Sequence, residues 1–179
     1  MRKCITEFYY NELIEEDKIK DMRIKIKKLN ENAVVPVYAT KGAACADVVA
    51  TEIIKQDSYN VTVKLGFATE IPEGYKGVVV PRSSFTQKGW VMQNSPAQID
   101  SDYRGEWMLK FQAVPVDAIS TRHGLVDLLP DKFPYQKGDR VAQVYFEKVE
   151  QAEFIETDEL VSTERGDGGF GSTGVKEVV

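Results

Sequence analysis

Chemistry is concentrated in a few short stretches, and the densest is "AQIDSDYRGEW", residues 97–107. Asp100 and Asp102 stand two apart, so an extended chain would turn both carboxylates to one side. An ordinary carboxylate, with a pKa near ~3.9, is ionised at neutral pH and can take a proton from water, worth roughly 10²–10⁴ in a hydrolytic rate. Tyr103 and Arg104 add an aromatic face and a cation. A second stretch, "VVVPRSSFTQKG" (78–89), sets Arg82, Ser83 and Ser84 just behind an apolar run. A guanidinium fork with neighbouring hydroxyls and exposed backbone N–H groups makes an oxyanion clamp. Taken singly, each stretch is also what an ordinary polar turn looks like.

Two weaker stretches flank these. "KGAACADVVA" (41–50) holds one acid, Asp47, among small apolar residues, where a carboxylate can either satisfy local N–H groups or orient the waters of a metal ion. Cys45 has no base nearby and is expected to be a small buried hydrophobe. "ERGDGGFGSTG" (164–174) has five glycines in eleven residues. Glycine lets successive N–H groups converge on phosphate oxygens, while Arg165 can add charge and Ser172 and Thr173 donors. The lysine of a Walker A loop is missing, so this is not that motif.

The elements that must hold these stretches read as strands. "MRIKIKKL" alternates, with Met22, Ile24 and Ile26 on one face, and "YNVTVKLGFATEI" alternates through Val61, Val63, Leu65 and Phe67. "YKGVVVP" stops at Pro81, "GEWMLKFQAV" alternates through Trp107, Leu109 and Phe111, and "DRVAQVYFEKV" follows the turn "QKG". Short strands at close spacing, punctuated by Gly and Pro, indicate an all-β domain. Residues 114–136 are too long for a hairpin loop and are expected to form an excursion with local structure of their own. Residues 1–21 differ in character, with apolar spacing compatible with a short helix.

Composition sets the outer limits. The chain has 179 residues and a net charge of −5, which argues against a protein that coats nucleic acid or an anionic membrane. Any phosphate site must be built locally. Two cysteines, Cys4 and Cys45, make no disulfide framework, and a single histidine, His123, excludes multi-histidine metal centres. With no apolar run near the ~18 residues of a membrane span and a start that turns polar at once, a soluble intracellular protein is expected.

These four stretches and a fifth, "KGDRVAQVYF", follow the order found in the trimeric deoxyuridine triphosphatases (dUTPases), which the chain resembles from about Met22 to Val175. The resemblance implies a β-clip, jelly-roll-like distorted barrel spanning residues 22–162, a flexible arm at 163–179, and a homotrimer with active sites shared between chains. It implies that Asp100 activates the water that attacks the α-phosphorus of dUTP, giving dUMP and pyrophosphate. That reaction keeps uracil out of DNA and supplies dUMP for dTMP synthesis.

By the same resemblance Tyr103 packs on the deoxyribose, while Asn94 and Ile99 belong to the uracil-binding hairpin. Arg82, Ser83, Ser84 and Gln143 contact phosphates. Arg165, Phe170, Gly171, Ser172 and Thr173 form the arm that a neighbour lends. Asp47 holds waters of a Mg²⁺ ion that the phosphates bind directly. Cys45-Ala46 and Ala97 stand where the family usually has glycine-containing pairs and a glycine. The dCTP deaminase branch of the same fold also carries "RSS", but relies on a catalytic glutamate and lacks the arm. By position, the 114–136 excursion resembles the additions through which phage-type members contact protein partners.

Overall fold

The alternating runs become thirteen strands in the computed structural model, which describes residues 22–85, 89–115, 117–122, 124–130 and 132–169. In chain order they are β1 (Lys25–Lys28), β2 (Val37–Tyr38), β3 (Ala46–Val49), β4 (Glu52–Lys55), β5 (Asn60–Lys64), β6 (Phe67–Glu70) and β7 (Tyr75–Pro81). They continue with β8 (Trp90–Met92), β9 (Ala97–Ile99), β10 (Met108–Ala113), β11 (Asp117–Thr121), β12 (Gly124–Leu128) and β13 (Arg140–Lys148). Among the described residues the only helical turn is a 3-10 turn at Ser83–Phe85, and no helix is long and apolar enough to cross a membrane. Residues 1–21, whose spacing is compatible with a short helix or an unstructured segment, lie outside the described residues.

A five-stranded sheet runs β2-β3-β13-β7-β9 and a four-stranded one β4-β5-β10-β8, with β1-β6 and β11-β12 as two-stranded ribbons. Every pairing is antiparallel. The all-β expectation holds, as open sheets rather than a closed barrel. Val61, Val63, Leu65 and Phe67 are all buried, and so are Trp107, Leu109 and Phe111, which face them across β5 and β10. Gly66 divides that first run into two strands. Its φ of +73° favours glycine, and a Cβ there would lie 2.8 Å from Thr51 Cγ2. So β5 stays in the four-stranded sheet while β6 turns away to pair with β1.

The "MRIKIKKL" strand is less buried than its alternation suggests. Ile24 and Ile26 are half-buried against the core and Met22 is exposed. Together with Phe67, Trp107 and Phe146 they line a groove of about 450 Å³. Cys45 is free and only half-buried, which corrects the expectation of a buried one: it sits in the turn just before β3, outside the alternation that buries Ala46 and Val48.

The excursion is an ordered hairpin, β11–β12, in register from Asp117↔Leu128 to Thr121↔Gly124. Its return leg carries aromatics inward: Phe133 packs on Trp90 and Phe111, each at 5.1 Å between centroids, and Tyr135 stacks on Phe85 at 5.5 Å and 11°. Such pairs add about 0.5–1.5 kcal/mol each beyond burial. Burial pushes the Tyr135 phenol above its usual range, with Ser84 and Arg82 pulling the other way.

The chain divides into two compact units, Met1–Val149 and Glu150–Val179. The described part of the second holds no strand, and its Phe154, Ile155, Leu160 and Val161 are 78–96% exposed. Around Arg165 the chain makes a local turn, closed by Gly168 N donating to Arg165 O at 3.1 Å.

Candidate active site

The first cluster is built on the five-stranded sheet. Asp47 on β3 pairs with Gln143 on β13, and Gln143 pairs with Val80 on β7, so the three form one row across the sheet. Arg82 follows directly after β7. Asp47 is only 7% exposed, and a buried carboxylate must be paired. Its Oδ2 accepts a hydrogen bond from Arg140 NH1 at 2.9 Å, and its Oδ1 lies 3.0 Å from Arg82 Nε in an ion pair not aligned for a hydrogen bond. Gln143 Nε2 donates to the same Oδ1 at 3.4 Å, and Arg82 NH1 to Arg140 O at 3.4 Å. Behind this row the 3-10 turn is closed by Phe85 N donating to Arg82 O at 2.9 Å, and Phe85 is locked under Tyr135. Ser83 and Ser84 are thus presented, exposed, on a turn whose far side is core.

The second cluster is the turn after β9. Of the two readings of Asp100 and Asp102, an extended pair or a polar turn, the structure takes the turn. Tyr103 N donates to Asp100 O at 3.2 Å, closing a β-turn, because Arg104 caps the turn's own carbonyls. Arg104 NH1 donates to Ser101 O at 2.6 Å and reaches Thr69 O on β6 at 3.5 Å. That cation is a fastener of the turn. The Tyr103 phenol folds back to donate to Glu106 O at 3.1 Å, across Gly105. A Cβ on Gly105 would overlap the phenol itself, 2.8 Å from Cε2.

The hairpin before this turn crosses between sheets: β8 pairs with β10, and β9 with β7. Asn94 fastens it, accepting from Lys110 N at 3.0 Å and donating to Met108 O at 3.2 Å. Ile99 is half-buried against Gly77, on which it sits in register.

Register sets these two clusters apart within one chain. The row through Ile99 and Gly77 lies three residues along β7 from Val80, about 10 Å, and Asp100 is one residue further. Two strands, β13 and β7, stand between β3 and β9, adding ~14 Å sideways between Asp47 and Asp100. Arg82, Arg140, Asp47 and Gln143 are brought together; Ile99, Asp100 and Tyr103 lie together at the end of β9, and Asn94 stands at the turn before that strand, bonded to β10. In the second unit Arg165 donates through Nε to Gly168 O at 2.9 Å, and Phe170, Gly171, Ser172 and Thr173 lie outside the described residues.

Arg140 is the residue that sequence reasoning missed. It stands three before Gln143, which in a regular strand puts the two on opposite faces. The register shifts between Arg140 and Ala142, so Arg140 pairs with Val49 and Gln143 with Asp47. Val49 and Asp47 share a face, and the irregularity therefore brings both side chains to the acid.

Among known proteins, the chain matches the dUTPase family model over residues 31–124 and 126–174. It is 39% identical over 158 residues to the deoxyuridine 5'-triphosphate nucleotidohydrolase of Hydrogenobaculum sp., covering 87% of this chain and 100% of that one. With the enzyme of the same name from Nautilia profundicola it is 41% identical over 155 residues, covering 86% and 99%. Among solved structures it is similar to the Staphylococcus bacteriophage 80alpha dUTPase with dUPNHPP, with a TM-score of 0.66, 25% identity and coverage of 86% and 99%. The fold is likewise similar to that of the dUTPase from phage phi11 of S. aureus, with a TM-score of 0.63, 21% identity and coverage of 79% and 99%.

Proposed function

This chain belongs to the dUTPase family, whose members are dUTP diphosphatases, and on that premise we propose how its own residues hydrolyse dUTP to dUMP and pyrophosphate. The observation that carries the reading is the separation of the two clusters. One chain offers a row of guanidinia and amide donors suited to phosphate, and elsewhere a carboxylate held in a fastened turn beside a tyrosine. Neither cluster is a hydrolytic site alone, so three copies share their sites, each bringing the phosphate row of one to the Asp100 turn of another. Exposed apolar residues on the β2 edge, Val37 at 60% and Tyr38 at 52%, give such an assembly surface to bury.

In this reading Arg82, Ser83, Ser84 and Gln143 hold the phosphates, and Asp100 takes the proton from the water that attacks the α-phosphorus. The Asn94 amide is already spent on β10, which leaves base reading to the backbone of the hairpin, with Ile99 beneath it. The arm, with Arg165, Phe170, Gly171, Ser172 and Thr173, closes over the nucleotide and excludes bulk water. No group of three or more His, Cys, Asp or Glu gathers among the described residues. A Mg²⁺ ion, which keeps its waters and needs few protein ligands, would be held mainly by the phosphates, with Asp47 placed toward its waters. When bound, the ion would neutralise phosphate charge. The β11–β12 hairpin is a surface for a protein partner in addition to this site.

Purified protein is expected to release pyrophosphate from dUTP and not from dTTP. Ammonia release from dCTP would instead make it a deaminase. A narrower outcome follows from Gly105. Since a side chain there displaces the Tyr103 phenol, Gly105→Ala should lower the preference for dUTP over UTP about tenfold. An unchanged ratio in steady-state assays of both nucleotides would remove Tyr103 from sugar recognition.

A further inference from the structure

We propose that Arg140 is a second phosphate-binding guanidinium at this site, held in position by Asp47; the proposal rests on the dUTP reading above. Two guanidinia share one buried carboxylate, Arg82 Nε on Oδ1 at 3.0 Å and Arg140 NH1 on Oδ2 at 2.9 Å. A purely structural acid in this place needs one such partner, and the second cation leaves the trio with a net positive charge. On a chain of net charge −5 that surplus is a local feature calling for an anion.

Exposure points the same way. The Asp47 side chain is 8% exposed, that of Arg82 22% and that of Arg140 54%, so the array opens from a buried anchor to a solvent-facing fork. A guanidinium has five N–H donors, and the side-chain bond of Arg140 to Asp47 engages its NH1. A carboxylate that grips one edge of an arginine fixes the plane of the rest, which suits bidentate binding of a phosphate. The register shift in β13 is what turns Arg140 to this face, and such irregularities commonly re-aim a side chain beside an active site. Asp47 is then a positioning residue for two cations, in addition to any part it has toward metal-bound water.

The test is a ladder of ligands. Wild-type protein, Arg140→Gln and Arg140→Lys are titrated calorimetrically with a non-hydrolysable dUTP analogue, dUDP and dUMP, with thermal melts on each variant. Arg140→Gln should bind the triphosphate analogue roughly ten- to hundredfold more weakly, with dUMP affected less than about twofold, because only the longer chain reaches the fork. Arg140→Lys should fall between, since it keeps the charge and loses the fork. Equal losses for mono- and triphosphate, or no loss at all, would overturn the proposal. Where Arg140→Gln does not fold, the lysine variant decides alone: triphosphate affinity equal to wild type overturns it. Wild-type protein that neither binds nor hydrolyses dUTP would overturn the parent reading as well, whereas an unaltered ladder in the variants overturns Arg140 only.

Discussion

Replacing Asp100 with asparagine should lower kcat for dUTP hydrolysis by about 10²–10⁴ while leaving nucleotide affinity nearly unchanged. Asparagine keeps the size and hydrogen-bonding length of the side chain but cannot accept a proton from water. The turn that presents it does not depend on the carboxylate. Its closing bond uses the backbone oxygen of residue 100, and its fastener is Arg104 on the carbonyls of Ser101 and Thr69. A drop of less than tenfold, or one confined to KM, would take the role of base away from Asp100.

The same variant probes the shared site. Asp100→Asn and Arg82→Gln, each strongly impaired alone, should recover activity when unfolded together and reassembled, because some sites then pair an intact Arg82 from one chain with an intact Asp100 from another. A site contained within one chain would recover nothing. The geometric reason is the register that places these residues on different rows of one sheet.

What the sequence made legible, and what it did not, follows from where period-two alternation applies. Val61, Val63, Leu65 and Phe67 were read as one buried face, and they are buried. The break at Gly66 was not read, because an apolar run looks continuous until the backbone beyond a positive-φ glycine is seen to turn to another partner. The Asp100–Asp102 stretch was open to two readings, an extended pair or a polar turn; the fold takes the turn and fastens it with a cation, Arg104, whose reach to β6 no local pattern encodes. Arg140 was passed over for the same kind of reason: one irregular position in β13 inverts the facing that alternation assigns. The excursion could be recognised by its length, but the docking of Tyr135 onto Phe85 and of Phe133 onto Trp90 and Phe111 requires contacts between residues far apart in the chain. The motifs named the chemistry, and the long-range pairings decide which residues meet.

The largest effect on stability is expected at Trp107, where Trp107→Ala should destabilise the domain by about 3–5 kcal/mol. The residue is 1% exposed and stands at the junction of the Asp100 turn with the core. Its backbone joins two sheets, with Trp107 N donating to Phe67 O and Leu65 N donating to Trp107 O, both at 3.0 Å. The ring lies 5.1 Å from that of Phe67, and Gly77 makes room for it, since a Cβ there would come within 3.3 Å of Trp107 Cη2. The indole N–H has no hydrogen-bond partner among the described residues, so truncation strands no polar group there and the cost is that of packing and the cavity left behind. Over a domain of this size the loss corresponds to a fall in Tm of roughly 6–20 °C, read at one fixed protein concentration because assembly contributes to the melt. Trp107→Phe keeps most of the buried ring and should cost less than half as much. A loss below about 1 kcal/mol for the alanine variant would mean that the groove beside the ring collapses to fill the space, and that the turn carrying Asp100 is anchored by its backbone bonds and Arg104 rather than by the core.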